Sequence, residues 1–202
     1  MIERRRNTRA SIKAAIRQAM VEELRARGTP IRVIETHAGH GHMKRLAYHD
    51  ADRWLGIDTD RTTEGTVHCD SRRVLRAMEL APYTVFDVDT HGVPWHWVWL
   101  VSQRRKLRSG ESIGVAVTHG RAGGPAQMEA NLFRAGYSQQ MLDALGLHWG
   151  YSPTAFQNDQ AVFLFRKLVE AWFGAKIGRV WEGLGGARGD GSTRYFSAVI
   201  TA

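Results

Sequence analysis

The sequence predicts an α/β fold: a doubly wound, mostly parallel seven-stranded sheet ending in an antiparallel β-hairpin. Three observations predict it. Short β-branched runs alternate with helical segments along most of the 202 residues, the pattern of βαβ units. The first run, Ile31–Ile34, leads at once into a glycine-bearing turn with Gly39 and Gly41, and the next run ends on an acid, Asp58. Finally, the runs 177–184 and 193–201 are joined by the glycine-rich stretch 185–191, and consecutive strands on a short connection pair antiparallel.

Taken in order, residues 1–9 carry Arg4, Arg5, Arg6 and Arg9 and read as a basic arm. Residues 10–27 read as an amphipathic helix, with Ile12, Ile16, Met20 and Leu24 at helical spacing and cations around them, ended by Gly28 and Pro30. This divides the chain into an arm and helix over 1–28 and a main domain over 29–202. Ile31–Ile34 suit a buried parallel strand. Met43–Tyr48 can begin a helix, and 54–58 form the second strand. The acid Asp58 lies 19 residues past Gly39. An acid about 20 residues beyond a glycine turn accepts from ribose hydroxyls in doubly wound folds, which makes this a nucleoside-binding unit.

Further along, Thr66–Asp70 suits a third strand, with a helix over 71–79 turning Val74, Leu75 and Met78 inward. Tyr83–Phe86 is the fourth strand and delivers Asp87 and Asp89 to its carboxyl end, where open α/β sheets bind ligands. The two acids are expected on opposite sides of the extended segment. A helix over 95–107 follows; its tryptophans pack on the sheet or stack on nucleic-acid bases, and Arg104, Arg105, Lys106 and Arg108 form a solvated basic end. Residues 112–118 are a small, apolar, central strand, with a flexible turn over 119–125 at its ligand end. Residues 126–146 look helical with Gly136 as a break, and 161–172 form a strong helix ended by Gly174.

The P-loop pattern is absent, and Lys44 stands where a dinucleotide turn needs its third glycine. What remains is Glu35 closing the first strand, then Ala38-Gly39-x-Gly41, then Asp58 closing the second. This ordered set resembles motif I and its acidic follower in class I S-adenosylmethionine-dependent methyltransferases. The resemblance implies a Rossmann-like fold and S-adenosylmethionine as cofactor. It puts Glu35 near the methionine moiety, passes the loop His37, Ala38, Gly39 and Gly41 under the cofactor, and gives Asp58 the ribose. His37 stands where the family often has glycine. Asp70 matches the acid beside the adenine; it also reads as a helix N-cap. The segment Asp87-Val-Asp-Thr-His-Gly-Val-Pro94 resembles motif IV of the tRNA N2,N2-dimethylguanosine methyltransferases. By that likeness Asp89 is the reactive acid, and Asp87 orients the turn or lies against the cofactor. Thr90 replaces the motif's proline and His91 its aromatic, so His91 joins Asp89 as a catalytic candidate. The terminal hairpin also matches the family.

Charge narrows the partners. The net charge is +8 with a pI near 10.1, which favours a polyanion, nucleic acid first, or else reflects a merely solvated surface. A single cysteine, Cys69, excludes an internal disulfide and suits a reducing, cytoplasmic compartment. No apolar stretch is long enough for a membrane span, and the basic N-terminus has no apolar segment behind it. His37, His40 and His42 crowd one loop, but metal-ligand spacing is missing, so no metal is expected. The function expected is methyl transfer from S-adenosylmethionine to a nucleic-acid base. The rivals are a methyltransferase of proteins or small molecules, a non-enzymatic nucleic-acid-binding module of the same fold, and an NAD-dependent oxidoreductase.

Overall fold

In the computed structural model the structure describes residues 10–63, 65–90, 92–120, 140, 161–185 and 193–202. The basic arm 1–9, His91, the expected helix over 126–146 and the connection 186–192 lie outside the described residues. Seven strands form one sheet in the order β3-β2-β1-β4-β5-β7-β6. They are β1 (Arg32–Thr36), β2 (Arg53–Asp58), β3 (Thr66–His68), β4 (Val85–Val88), β5 (Ser112–His119), β6 (Lys176–Gly185) and β7 (Thr193–Thr201). The first five are parallel to one another; β7 runs antiparallel to both β5 and β6. The order reverses between β1 and β4, and that switch point opens a crevice at the carboxyl ends of the strands. The fold expected from the sequence is the fold observed.

The helices are α1 (Ala10–Ala26), α2 (His42–Leu46), α3 (Ser71–Ala77), α4 (Trp95–Arg104) and α5 (Ala161–Phe173). Alternate strand residues point to opposite faces, so each strand feeds two layers. On one face Ile34, Ile57, Phe86, Val88, Val115 and Phe196 pack against α3, α4 and α5. On the other, Val33, Val85, Ala116 and Val199 meet Met20 and Leu24 of α1 and Met43 of α2. Gly114 lets α1 approach closely: a Cβ there would sit 2.8 Å from Met20 Sδ. The helix α1 therefore lies directly on the central strands.

Several boundaries differ from expectation, β3 ending at His68 and α3 at Ala77 among them, and three differ for clear local reasons. The strand β4 starts at Val85 and runs through Asp87, because Asp87 has a buried cation to neutralise it (below) and so can occupy a fully buried strand. The helix α4 stops at Arg104, and its basic end is not uniformly solvated. Arg105 is buried, donates from Nε to the Tyr83 carbonyl at 3.1 Å and pairs with Glu111. The helix α2 has only five residues; the amides of Ala47 and Tyr48 both turn back to the Met43 carbonyl.

One connection is unusually short. Parallel strands normally need a crossover of a dozen or more residues, yet β2 and β3 are joined by residues 59–65 alone. On the α1/α2 face that leaves the flank of β2 covered chiefly by Trp54. Its indole lies flat along the strand over Gly56, where a Cβ would fall 2.1 Å from the ring.

Candidate active site

The glycine turn is built around Asp58. Gly39 and Gly41 have φ of 51° and 67°, conformations that glycine adopts without Cβ strain. The Gly39 amide donates to Asp58 Oδ2 at 2.8 Å, and the Asp60 amide donates to Asp58 Oδ1 at 2.9 Å. One carboxylate thus fixes both the loop after β1 and the end of β2. A Cβ built on Gly39 meets nothing within 4 Å, so its backbone borders open space. His37 also has positive φ, 58°, the one non-glycine residue in that region among the described residues. Its ring meets Trp97 edge-on at 5.2 Å, so a side chain in this left-handed position is held by an aromatic contact. Ala38 is buried and donates its amide to the Ile57 carbonyl at 3.1 Å.

Beside this turn, three acids share the α1 face of the sheet. Glu35 and Asp87 are register partners on β1 and β4, and Asp89 follows at the end of β4. Residues two apart on an extended segment share a face. Asp87 and Asp89 accordingly both point toward α1, which corrects the expectation that they diverge. Asp87 is fully buried: Arg17 donates from Nε to Oδ2 at 2.5 Å and from Nη2 to Oδ1 at 2.7 Å, and the Tyr48 hydroxyl donates to Oδ2 at 2.9 Å. This bidentate pair ties α1 to β4. Lys13, one turn before Arg17, pairs with Asp89, whose side chain keeps 15% exposure. Asp89 is therefore the acid of this pair that reaches the crevice. Glu35 accepts from Trp54 Nε1 at 2.9 Å.

Two like charges side by side in a buried place cannot both ionise freely. Burial, and then the charges of Asp87 and Asp89, push Glu35 up to about 8, against the smaller opposing pulls of Trp54 and Lys13. Burial alone would raise Asp89 too, but Lys13 and Arg17 outweigh it and hold that carboxyl below its ordinary value. Burial raises Tyr48 well above the usual phenol range, with Asp87 adding to it. Arg17 is raised because Asp87 outweighs the burial that works against its charge.

At the other rim of the crevice, Asp70 caps α3: its Oδ1 accepts from the Arg72 amide at 2.9 Å, and it pairs with the Arg72 side chain. That side-chain bond leads the causes that hold Asp70 down to about 2. The Arg72 guanidinium lies 5.8 Å from the Trp97 ring centroid, and Trp97 Nε1 donates to Ser71 Oγ at 2.9 Å. His119 ends β5 against Trp95, at 5.6 Å between rings. Burial first, then Arg194, depresses its pKa to about 4, so it is neutral at physiological pH. Of the three tryptophans of α4, Trp95 belongs to the core while Trp97 and Trp99 are half-buried against it. Among the described residues no group of three or more His, Cys, Asp and Glu is arranged to hold a metal ion, and no helix is long and apolar enough to cross a membrane.

Of the residues the sequence singled out, Glu35, His37, Ala38, Gly39, Gly41, Asp58, Asp87 and Asp89 lie at one end of the sheet, with Asp70 across the crevice and His91 outside the described residues. Sequence reasoning missed Lys13, Arg17, Tyr48 and Trp54. Lys13, Arg17, Met20 and Leu24 fall on one helical stripe at i, i+4, i+7 and i+11. Acids inside an otherwise apolar strand call for cations on whatever covers them. Together these two signals point to the pairing.

No protein-family profile matches the sequence, and no curated protein matches it as a relative. Solved structures do match. The plantazolicin methyltransferase BamL, solved with a desmethylPZN analog and SAH, is 8% identical with a TM-score of 0.52, over 95% of this chain and 85% of that one. A candidate sarcosine dimethylglycine methyltransferase from Galdieria sulphuraria is 13% identical with a TM-score of 0.50, over 91% and 84%. A candidate O-methyltransferase from Klebsiella pneumoniae is 13% identical with a TM-score of 0.50, over 94% and 81%. At these identities the likeness is one of fold. The chain has the Rossmann-like fold of the S-adenosylmethionine-dependent methyltransferases, with a seven-stranded mixed sheet closed by an antiparallel β5-β7-β6 edge.

Proposed function

We propose that the protein transfers a methyl group from S-adenosylmethionine to a base in nucleic acid. The observation that carries the cofactor is the Asp58 turn. Each Asp58 oxygen accepts one backbone N–H and keeps lone-pair capacity for ribose hydroxyls, next to a Gly39 backbone that borders open space. The group also fits in charge: a cationic sulfonium and ammonium suit a crevice reached by Asp89, which Lys13 and Arg17 keep ionised. Asp70 across the crevice is the reading for the adenine amine.

When bound, the cofactor supplies an electrophilic methyl carbon. The chain's own part is positioning and proton handling. Asp89 is the acceptor proposed for the N–H of the attacking amine, since Lys13 and Arg17 keep it ionised. Asp87, with both oxygens held, is a positioning residue that sets α1 and thereby Lys13. His91 keeps its place as a candidate from the motif likeness to tRNA enzymes, which rests on residues 87–94 alone. Neutral His119, at the end of β5 on the α4 side, is a second candidate acceptor. The nucleic-acid substrate is supported by the +8 charge. A peptide or small-molecule acceptor is the second reading, favoured by the substrates named for the plantazolicin and sarcosine dimethylglycine enzymes.

Calorimetry with S-adenosylmethionine tests the cofactor. Asp58→Ala should weaken binding roughly tenfold to hundredfold, the scale of one charged hydrogen bond at ~1.5–3 kcal/mol. Unchanged affinity would remove the ribose assignment, and binding of NADH in place of S-adenosylmethionine would remove the class. Mass spectrometry of nucleosides from host RNA and DNA, with and without the protein, identifies the methylated base. No added methyl on any nucleoside would favour the second reading.

A further inference from the structure

The short β2–β3 connection leaves a cleft on the α1/α2 face that the methyl-transfer chemistry does not use. It has a volume of about 600 Å³ and is lined by His40, Gly41, Lys44, Arg45, His49 and Trp54, with Thr62 at its edge. Its floor is the Trp54 indole, fixed by the bond to Glu35 and by lying over Gly56. Lys44 stands over that ring at 4.7 Å from the centroid. Arg45 is oriented by its own turn: Nη1 donates to the His40 carbonyl at 2.7 Å, and Nη2 lies 3.2 Å from His42 Nδ1. Among the described residues neither Lys44 nor Arg45 has a carboxylate partner. Among the described residues, Asp50 is engaged with Arg25, and Asp60 with the amide and hydroxyl of Thr62. The cleft is thus a preorganised cationic concavity with an aromatic floor, beside an exposed Arg61.

We infer that this cleft between α2 and β2 binds the phosphate backbone of a single-stranded nucleic acid, through Lys44 and Arg45, while the target base enters the crevice at Asp89. Charge complementarity selects the occupant. A guanidinium held by its own loop presents its remaining donors to a phosphate as a fork, and a neighbouring ammonium adds a point charge. A positively charged groove that tracks the backbone holds single strands without reading their sequence, and the Trp54 ring keeps the Lys44 ammonium in place on its wall. His40 and Gly41 belong both to the cleft wall and to the turn that Asp58 fixes. A strand in the cleft is therefore seated one loop away from the proposed methyl-transfer crevice. The inference rests on the nucleic-acid part of the proposed function and deepens it by naming where the strand lies.

The test measures binding of a fluorescein-labelled, mixed-sequence 20-nucleotide single-stranded RNA by anisotropy at several salt concentrations. It compares the unaltered protein with Lys44→Ala/Arg45→Ala and with a surface control of equal charge loss, Arg76→Ala/Arg104→Ala. Both side chains of the cleft pair are exposed, and thermal melting checks that each variant is folded. We expect the cleft variant to bind roughly tenfold or more weakly, with a log–log salt slope shallower by about 1.4, two phosphates at about 0.7 each. The control should change both less. Equal losses in the two variants, no loss in either, or no RNA binding by the unaltered protein at low salt would each overturn the inference. Calorimetry with S-adenosylmethionine separates this result from the cofactor reading. The cleft variant should retain cofactor affinity, and a parallel loss would make the cleft part of the cofactor site and overturn the inference. Failure of the unaltered protein to bind the cofactor would sink the methyltransferase reading and leave the RNA result standing.

Discussion

The two faces of the sheet are built from alternate residues of the same strands, yet they do different work. On the α3/α4/α5 face, β1 and β4 contribute Ile34, Phe86 and Val88, and no buried charge from either strand points there. On the α1/α2 face the same two strands contribute Glu35 and Asp87, matched by Lys13, Arg17 and Tyr48. What these two strands add to the first face is apolar burial, at about 25 cal/mol per Å² of apolar surface. The second carries desolvated charges whose mutual attraction must offset what it costs to remove them from water. The comparison teaches where the protein accepts a stability cost: on the face whose strand ends form the crevice.

The largest effect that would break this contrast comes from Arg17. Arg17→Met leaves Asp87 buried without its bidentate partner, and about 3–5 kcal/mol of stability should be lost. Adding Asp87→Leu to the same chain should recover most of it, because an apolar pair then replaces the ionic one. Urea unfolding of the single and double variants measures this. If the double variant were as unstable as the single one, the ion pair would be holding α1 by more than charge, and the two faces would not differ as described.

A smaller effect sharpens the division within the charged face itself. Asp89→Asn keeps the shape but removes the charge and the proton acceptor. Turnover on the identified substrate should fall ~100-fold, the scale of a positioned general base, with S-adenosylmethionine affinity within about threefold. Single-turnover kinetics alongside calorimetry reads both. Normal turnover would move the acceptor role to His119 or His91.

The smallest effect is one of pH. Because Glu35 is raised to about 8 in the folded chain, the folded state keeps a proton that the unfolded chain releases near its ordinary 4.5. The protonated carboxyl's contribution is intact below about 4.5 and declines as pH rises through 8. Glu35→Gln retains the oxygen that accepts from Trp54 but cannot ionise. Its melting temperature should exceed that of the parent at pH 8, and the gap should close by pH 5. Parallel melting curves across this range would show that Glu35 is not held neutral.

The same contrast explains what could be read from the sequence. The apolar face is written locally: runs such as Tyr83–Phe86 and 161–172 declare strand and helix within their own window, and the sheet with its terminal hairpin followed. The Gly39–Asp58 turn was legible for a similar reason, since its parts lie within one βαβ unit. The charged face joins residues far apart in the chain. Lys13 meets Asp89 across 76 positions and Arg17 meets Asp87 across 70. Within α1 these cations are indistinguishable from solvated ones unless the stripe they share with Met20 and Leu24 is weighed. Arg105 was misread for the same reason: its partners Tyr83 and Glu111 lie beyond the helix that carries it. The cleft over Trp54 arises from the brevity of 59–65, which is visible in the sequence as a spacing but acquires meaning only once β2 and β3 are known to be parallel.

Trp54 is also an optical element. Its indole nitrogen hydrogen-bonds a carboxyl that changes charge at mildly alkaline pH, and its ring carries an ammonium on the open side. The electric field across the chromophore therefore depends on the ionisation of Glu35 and on whatever draws Lys44 away. Emission from this one indole, isolated from the other tryptophans by a difference spectrum against Trp54→Phe, turns the protein into its own voltmeter, reporting the buried acids and the cleft from a single wavelength.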